Sequence, residues 1–156
     1  MSKKKLLVYY SFSGNIESLI PMFSKHLNID IARLQVVIPY PIELEEFNKR
    51  YHVEMNNKLL PKYRKLDIKI EDYQTIILVL PNWGDTFPPV VRTFLSNNSF
   101  KGKTFVPIIS FGRNRESNIV NEIIVYAPGS KVTKALVFEE NHLKEEDLKT
   151  FIKEVY

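Results

Sequence analysis

The fold of this chain is decided by the stretch Thr75-Ile76-Ile77-Leu78-Val79-Leu80-Pro81-Asn82-Trp83-Gly84-Asp85-Thr86. Its first half, Thr75–Leu80, is an apolar run of the kind expected for a strand that is covered on both faces. Its second half, Pro81–Thr86, combines Pro, Asn, Gly and Asp, which predicts a turn. The run Leu6–Tyr10 has the same character and ends in the turn Ser11–Asn15. Strands of this type are typical of parallel sheets with helices on both faces.

Segments with an apolar stripe of helical spacing separate the predicted strands. Pro21 interrupts the first of these helices, which is therefore kinked there or begins later than its stripe. Pro88 or Pro89 begins the third helix, and Ser117 or Asn118 caps the fourth. The alternation predicts an α/β three-layer sandwich around a parallel sheet with right-handed crossovers. Its five predicted strands are Leu6–Tyr10, Ile29–Val37, Thr75–Leu80, Thr104–Ile109 and Lys131–Glu139.

Composition narrows the classes of function. The 156 residues are 44% hydrophobic and 26% charged, which is ordinary for a folded protein, and this length predicts a single domain, 1–156. The chain has no cysteine, which excludes disulfides, thiolate zinc sites, Fe–S clusters and cysteine nucleophiles. Redox chemistry would therefore require a bound organic cofactor. The formal charge of +4 favours an anionic ligand or an acidic partner protein.

Several other kinds of partner are not expected. No apolar run approaches the ~20 residues that cross a bilayer, and the N-terminus enters the first strand without a signal-peptide core, so the predicted location is cytoplasmic and no membrane partner is expected. The basic stretch Lys58–Lys69 lacks interleaved aromatic residues beyond Tyr63, which argues against nucleic acid. Adjacent acidic pairs such as Glu139-Glu140 are expected to be solvated charge. Metal binding is not expected from the scattered histidines His26, His52 and His142.

Three strand exits carry the residues that could bind a ligand. In open parallel sheets, ligands bind beyond the carboxyl ends of the strands, where the strand order reverses. The first exit, Ser11–Asn15, offers hydroxyls and backbone amides at the start of a helix, and Gly14 permits a tight turn. This combination suits a phosphate, although a plain strand-to-helix turn would have the same composition. The other two exits are Pro81–Thr86 and the turn after Ile109.

The segments Lys4–Ser18 and Ile77–Pro88 resemble the phosphate loop and the first flavin-flanking loop of the flavodoxin family. In its small bacterial flavodoxin-like branch, these places read roughly Y-F-S-x-S-G-N-T and P-N-W-W-G-T-M-P. The resemblance implies a five-stranded, flavodoxin-like sheet of order 2-1-3-4-5 with FMN as the cofactor. The residues that it implies for cofactor binding are Ser11, Phe12, Ser13, Gly14, Asn15, Ile16, Pro81, Asn82, Trp83, Gly84, Thr86, Ser110, Phe111 and Gly112.

The chain also departs from the pattern of that branch. Ile16 stands where a threonine would reach the phosphate, and Glu17 adds an acid beside it. Gly84-Asp85 stands where that branch has a Trp-Gly pair. One of the two tryptophans that would form an aromatic wall beside the flavin is therefore missing. Arg113 and Arg115 stand where the relatives are rich in glycine, and their bulk could narrow the site. A flavodoxin fold that has lost FMN and serves as a binding or regulatory module is therefore the second hypothesis.

The first hypothesis is an FMN-binding redox protein. It needs no dedicated acid, base or nucleophile, and the chain contains no G-x-S-x-G elbow, Walker A loop or G-x-G-x-x-G fingerprint. An electron carrier with a redox partner protein and a small flavin-dependent oxidoreductase would use the same bound ring, so the sequence leaves both open. The family's carriers are typically acidic, whereas this chain is basic.

Overall fold

The computed structural model describes residues 4–156, so the first three residues of the predicted domain 1–156 lie outside the described residues. The strands are β1 (Lys5–Tyr9), β2 (Asp30–Arg33), β3 (Thr75–Pro81), β4 (Thr104–Phe111), β5 (Lys131–Val132) and β6 (Leu136–Glu139). The helices are α1 (Ile20–His26), α2 (Leu44–Asn56), α3 (Pro89–Asn97), α4 (Ile119–Tyr126) and α5 (Glu145–Val155). Within the described range, no helix has the length and apolar character needed to cross a membrane.

All strand pairings in the sheet are parallel, and the order is β2-β1-β3-β4-β5, as predicted. Leu78 of β3 lies between Val8 of β1 and Pro107 of β4. The chain moves outward from β1 to β2 and then returns to β3 on the other side of β1. The carboxyl ends of β1 and β3 therefore flank the place where the strand order reverses, which is the expected ligand site of such sheets.

The predicted fifth strand, Lys131–Glu139, is wrong as a single element. It consists of β5 and β6, which both pair with β4, at Thr104–Phe105 and at Ile108–Phe111. Lys103 and Phe105 of this region direct their carbonyl groups to the β5 side. Pro107 follows in the same alternation and has no N–H to offer on that side, so the ladder is interrupted opposite it.

The core lies on both faces of the sheet because alternate side chains of each strand point to opposite sides. One face carries Leu6, Val8 and Leu78, which pack with residues of α3 and α4. The other face carries Leu7 and Val79, which pack with residues of α1 and α5. Each fully buried aliphatic side chain contributes about 1.5–3 kcal/mol. The strand ends are thus held by two separate apolar layers.

Three other boundaries differ from or refine the predictions. β2 ends at Arg33 rather than Val37, because the following segment turns back and Val36 bridges Tyr63 in antiparallel fashion. β4 continues to Phe111, so Ser110 and Phe111 belong to the strand and not to its exit loop. α1 begins at Ile20, later than its apolar stripe, with Pro21 in the first turn where a missing N–H is tolerated.

Candidate functional site at the strand ends

The first loop, Ser11–Ile16, leads from β1 into a single 3₁₀ turn at Glu17–Leu19. Gly14 has φ +85° and accepts a hydrogen bond from the amide of Ser18 at 3.0 Å. A Cβ at Gly14 would have no neighbour within 4 Å, so glycine is needed there for its backbone conformation and not for space. The buried Ser11 hydroxyl accepts from the amide of Glu17 at 3.3 Å. The loop is therefore closed by its own short-range hydrogen bonds.

The two unusual residues of the first loop do not point at the loop's polar face. Ile16 is only 2% exposed and packs in the core cluster that contains Leu7 and Phe23. Where a threonine would offer a hydroxyl, the side chain of Ile16 makes apolar contacts beneath the loop. The carboxylate of Glu17 accepts from Arg33 at 3.0 Å, so its negative charge is paired with β2.

The second loop contains a tight turn at Trp83–Thr86. The amide of Trp83 donates to the carbonyl of Thr86 at 2.9 Å, and the central residues Gly84 and Asp85 have φ +61° and +68°, the signs of a type I′ turn. A Cβ on Gly84 would lie 2.7 Å from the hydroxyl oxygen of Tyr51. That hydroxyl donates to the carbonyl of Trp83 at 2.9 Å. Gly84 is thus required both by its conformation and by the close approach of α2.

Trp83 stands at the centre of an aromatic cluster. Its ring lies edge-to-face with five others, with the nearest centroid at 5.2 Å, in Tyr10, Phe12, Tyr40, Phe47 and Tyr51. Edge-to-face contacts of this kind add about 0.5–1.5 kcal/mol each to the burial of apolar area. Burial raises the pKa of Tyr10 and of Tyr40, and the hydrogen bond of Tyr40 to Glu54 raises the second further. These phenols stay neutral near pH 7, so the wall around the indole is uncharged.

The third loop, residues 112–118, is tied to the second loop by two asparagines. Asn82 Nδ2 donates to the carbonyls of Asn114 and Glu116 at 3.0 and 3.2 Å. Asn114 Nδ2 in turn donates to Asp85 Oδ1 at 2.6 Å. Asp85, a departure from the family pattern, is therefore a tether between loops. Asn82 Oδ1 is left buried without a hydrogen-bond partner, and such an atom is costly unless something donates to it.

These strand ends surround one cavity of about 300 Å³. Its lining residues are Ser11, Phe12, Ser13, Asn15, Ile16, Pro81, Asn82, Trp83, Ser110, Gly112, Arg113 and Glu140. The structure thus brings together most of the residues predicted from the sequence. Those that do not line the cavity are Gly14, Gly84, Thr86 and Phe111; the first two shape turns, and Phe111 is the last residue of β4.

Two lining residues lie outside the predicted set: Arg113, which was expected to narrow the site, and Glu140. Glu140 was expected to be solvated, but it is half-buried and its Oε1 accepts a hydrogen bond from Asn15 Nδ2 of the first loop. The expectation was wrong because helix-face spacing does not apply to a residue that follows a strand. Its position directly after β6, whose carboxyl end lies at the same edge as the other exits, was the available signal.

The lining residues fit a flat ligand with a polar end. Phe12 and Trp83 supply apolar walls, while Ser13 and Asn15 supply donors in the first loop. Asn82 Oδ1 is an acceptor in need of an N–H group, and the pyrimidine edge of an isoalloxazine ring carries one. The volume lies at the lower end of the ~300–1,000 Å³ of small-molecule sites.

A family profile described as Flavodoxin matches residues 4–155 of this chain. The chain belongs to the flavodoxin family. The predicted resemblance is thereby confirmed over nearly the whole length, beyond the two loops on which it was based. No curated protein matches the chain significantly.

Solved structures of the flavodoxin fold are similar to the chain throughout. Two crystal structures, each described as a "putative flavoprotein", come from Bacteroides eggerthii (TM-score 0.85, 22% identity, 99% of this chain and 98% of that one) and Bacteroides uniformis (TM-score 0.85, 24% identity, 98% and 99%). A flavoprotein from Lactobacillus acidophilus, crystallised in complex with FMN, matches with TM-score 0.73 at 16% identity over 97% of this chain and 99% of its own. At these identities the likeness establishes the fold.

Proposed function

We propose that this flavodoxin-family protein binds FMN in the cavity at the strand ends and acts as a redox protein. The observation that carries the proposal is the convergence of three loops on one cavity lined by Asn82, whose Oδ1 is a buried acceptor without a partner. The family membership and the FMN complex of the Lactobacillus acidophilus relative support the choice of ligand.

Each loop has a distinct part in this proposal. Ser11, Ser13, Asn15 and the amides around Gly14 hold the phosphate, because hydroxyl, amide and backbone N–H groups are donors that suit an anion. Ile16 lies beneath that loop, where its buried side chain packs in the core.

The second and third loops hold the ring. Trp83 and Phe12 flank it, Asn82 Oδ1 accepts from its N–H, and backbone groups of Pro81, Ser110 and Gly112 border it, while Gly84 and Phe111 shape the chain around the cavity without lining it. Thr86, whose hydroxyl is also buried without a partner, supplies a further polar group near the turn. Bound FMN supplies the redox chemistry, since it accepts one or two electrons, whereas the protein binds and orients the ring and sets its electrostatic surroundings.

Two measurements test the cofactor assignment. The protein as purified is scanned for flavin absorbance bands, and protein freed of ligand is then titrated with FMN while the emission of Trp83 is followed. Trp83 is the only tryptophan in the chain, so quenching reports this site alone. Flavin bands or saturable quenching are expected. A colourless protein whose emission is unaffected by FMN would contradict the proposal.

The role in electron transfer is part of the same proposal. The formal charge of +4 favours an acidic redox partner, because complementary charge steers protein association. A carrier and an oxidoreductase differ in how the bound flavin is reduced. Direct bleaching of the flavin band by a nicotinamide nucleotide, without a second protein, would identify an oxidoreductase. The cytoplasmic location and the single-domain organisation stay predictions.

One observation favours the second candidate, a flavodoxin fold that acts without FMN. The carboxylate of Glu140 already binds the side chain of Asn15 in the first loop, which places an anion on one of the donors of the proposed phosphate position. Ile16, Glu17 and Asp85 give this candidate no further support, because each is engaged away from the loop's polar face. Tight FMN binding in the titration above would eliminate it.

A further inference from the structure

Glu140 is held in place at the edge of the cavity. Its backbone amide donates to the carbonyl of Phe111 at 2.8 Å, which continues the pairing of β6 with β4 by one residue. Its own carbonyl oxygen lies 2.8 Å from Nδ1 of His142 in the turn that follows. Because the backbone is fixed on both sides of the residue, the direction of its side chain is set by the sheet.

The side chain of Glu140 spans the cavity between the third loop and the first. Its Oε2 lies 3.4 Å from the position that a Cβ on Gly112 would take, and its Oε1 accepts from Asn15 Nδ2. Gly112 thus leaves room for the carboxylate. Among residues 4–156, no salt bridge involves Glu140; Arg113 lines the same cavity but does not pair with it, and the side-chain donor on the carboxylate is Asn15 Nδ2.

An anion therefore already lies on a donor that the proposed function gives to the phosphate. A carboxylate and a phosphate group both accept hydrogen bonds through negatively charged oxygens, and Asn15 Nδ2 cannot serve both fully. In addition, two negative groups a few ångströms apart repel each other, with a strength that grows as water is excluded. A flavin without a phosphate would experience neither effect.

We propose that Glu140 is an internal competitor of the ligand's phosphate and thereby sets how strongly the site prefers FMN over the same flavin without phosphate, riboflavin. This inference rests on the proposed function and deepens it. When FMN binds, the carboxylate yields Asn15 and turns away. When no ligand is present, the carboxylate keeps Asn15 ordered. Glu140 thus weakens FMN binding selectively and leaves the affinity for riboflavin nearly unaffected.

The test compares FMN with riboflavin on the full chain. Dissociation constants of both flavins are measured by quenching of Trp83 for the wild type, Glu140→Gln and Glu139→Gln. Gln at position 140 keeps an oxygen for Asn15 but removes the charge, so the affinity for FMN should rise about tenfold and that for riboflavin should change less than about twofold. Glu139 is exposed and its neighbour in sequence, so the same charge change there should leave the ratio of the two affinities unaltered.

The possible results distinguish a failure of this inference from a failure of the proposed function. If FMN binds but Glu140→Gln leaves the FMN-to-riboflavin ratio unchanged, Glu140 does not compete with the phosphate and the inference is wrong. If the variant binds FMN more weakly, Glu140 positions Asn15 for the phosphate, and the inference is again overturned. If no form of the protein binds either flavin, the proposed function itself fails. Glu140→Ala is measured alongside as a second variant and should shift the ratio in the same direction.

Discussion

The first and second loops of the site are stabilised in different ways. The second loop is held by other parts of the chain: Tyr51 of α2 binds the carbonyl of Trp83, and Asn114 of the third loop binds Asp85. The hydrogen bonds of the first loop are mainly local, and within residues 4–156 its one long-range side-chain hydrogen bond is with Glu140. The apolar wall of the site is therefore shaped before a ligand arrives, whereas the polar end is occupied by the protein's own carboxylate.

The largest expected effect comes from replacing a glycine in each loop. Gly84→Ala should lower the free energy of unfolding by about 2–3 kcal/mol, because it combines an unfavourable positive φ with a 2.7 Å approach to Tyr51. Gly14→Ala should cost only about 1 kcal/mol, since it meets no atom within 4 Å. Urea unfolding of both variants measures the difference. Equal losses would mean that the second loop is no more constrained than the first.

The two walls of the cavity should contribute unequally to ligand affinity. Trp83→Leu should weaken FMN binding about tenfold through loss of the aromatic face and of the cluster that orients it. Phe12→Leu should weaken it less, because Phe12 belongs to the first loop and is 41% exposed. Quenching of flavin fluorescence gives both dissociation constants without relying on Trp83. A greater loss of FMN affinity for Phe12→Leu would mean that Phe12, and not Trp83, is the more important wall of the cavity.

A smaller effect is expected from removing the hydrogen bond that joins Tyr51 of α2 to the second loop. Tyr51→Phe keeps the ring but removes the hydrogen bond to the carbonyl of Trp83, so the free energy of unfolding should fall by about 1 kcal/mol. Tyr126→Phe is the matched control, since the hydroxyl of Tyr126 forms no hydrogen bond within the described part of the chain. Thermal unfolding of the pair measures the difference. If both variants unfold alike, this hydrogen bond does not stabilise the turn.

The smallest expected effect concerns the helix that follows the first loop. Hydrogen bonds from His26 and Lys25, at the end of α1, lower the pKa of Glu145 in α5 from 4.5 to about 2. Because the folded pKa is the lower one, this contact stabilises the protein above pH 4.5 and its contribution is lost as the pH falls toward 2. Glu145 and Lys25 are solvent-accessible, so the change should be small.

Glu145→Gln should flatten the decrease in unfolding free energy between pH 4.5 and 2. Glu146→Gln is the control, because Glu146 lies in the same first turn of α5 but its carboxylate, among residues 4–156, forms an ion pair only with Lys149 of its own helix. Denaturant unfolding at several pH values measures both slopes. Identical slopes for the two variants would mean that α1 receives no pH-dependent support from α5.

Much of the fold could be predicted because its signals are local. The runs that became β1, β3 and β4 are apolar throughout, since a central parallel strand is covered on both faces. The edges were less predictable. β2 ends at Arg33 because Val36 bridges Tyr63, and the last strand divides opposite Pro107. Both outcomes depend on a neighbouring segment that is distant in sequence.

The candidate site likewise has a part that could be predicted from the sequence and a part that could not. Ser11–Asn15 and Pro81–Thr86 were identified from their composition at strand exits, and the cavity lies between them. The orientation of Ile16 toward the core and the pairing of Glu17 with Arg33 could not be deduced, because they depend on packing around the helix that follows. The position of Glu140 directly after the last predicted strand placed it at a strand exit, but its hydrogen bond to Asn15 could not be deduced, since Asn15 is far away in the chain.

The sequence by itself determined the parallel sheet, its strand ends and the polar and aromatic residues placed there, because hydrophobic periodicity and turn chemistry act over a few residues. Only the tertiary structure decided which side chains meet: the five rings around Trp83, the unpartnered oxygen of Asn82 and the carboxylate of Glu140 on Asn15. These contacts join segments that are remote in the chain, and only the packed sheet and its helices bring such segments within hydrogen-bond distance.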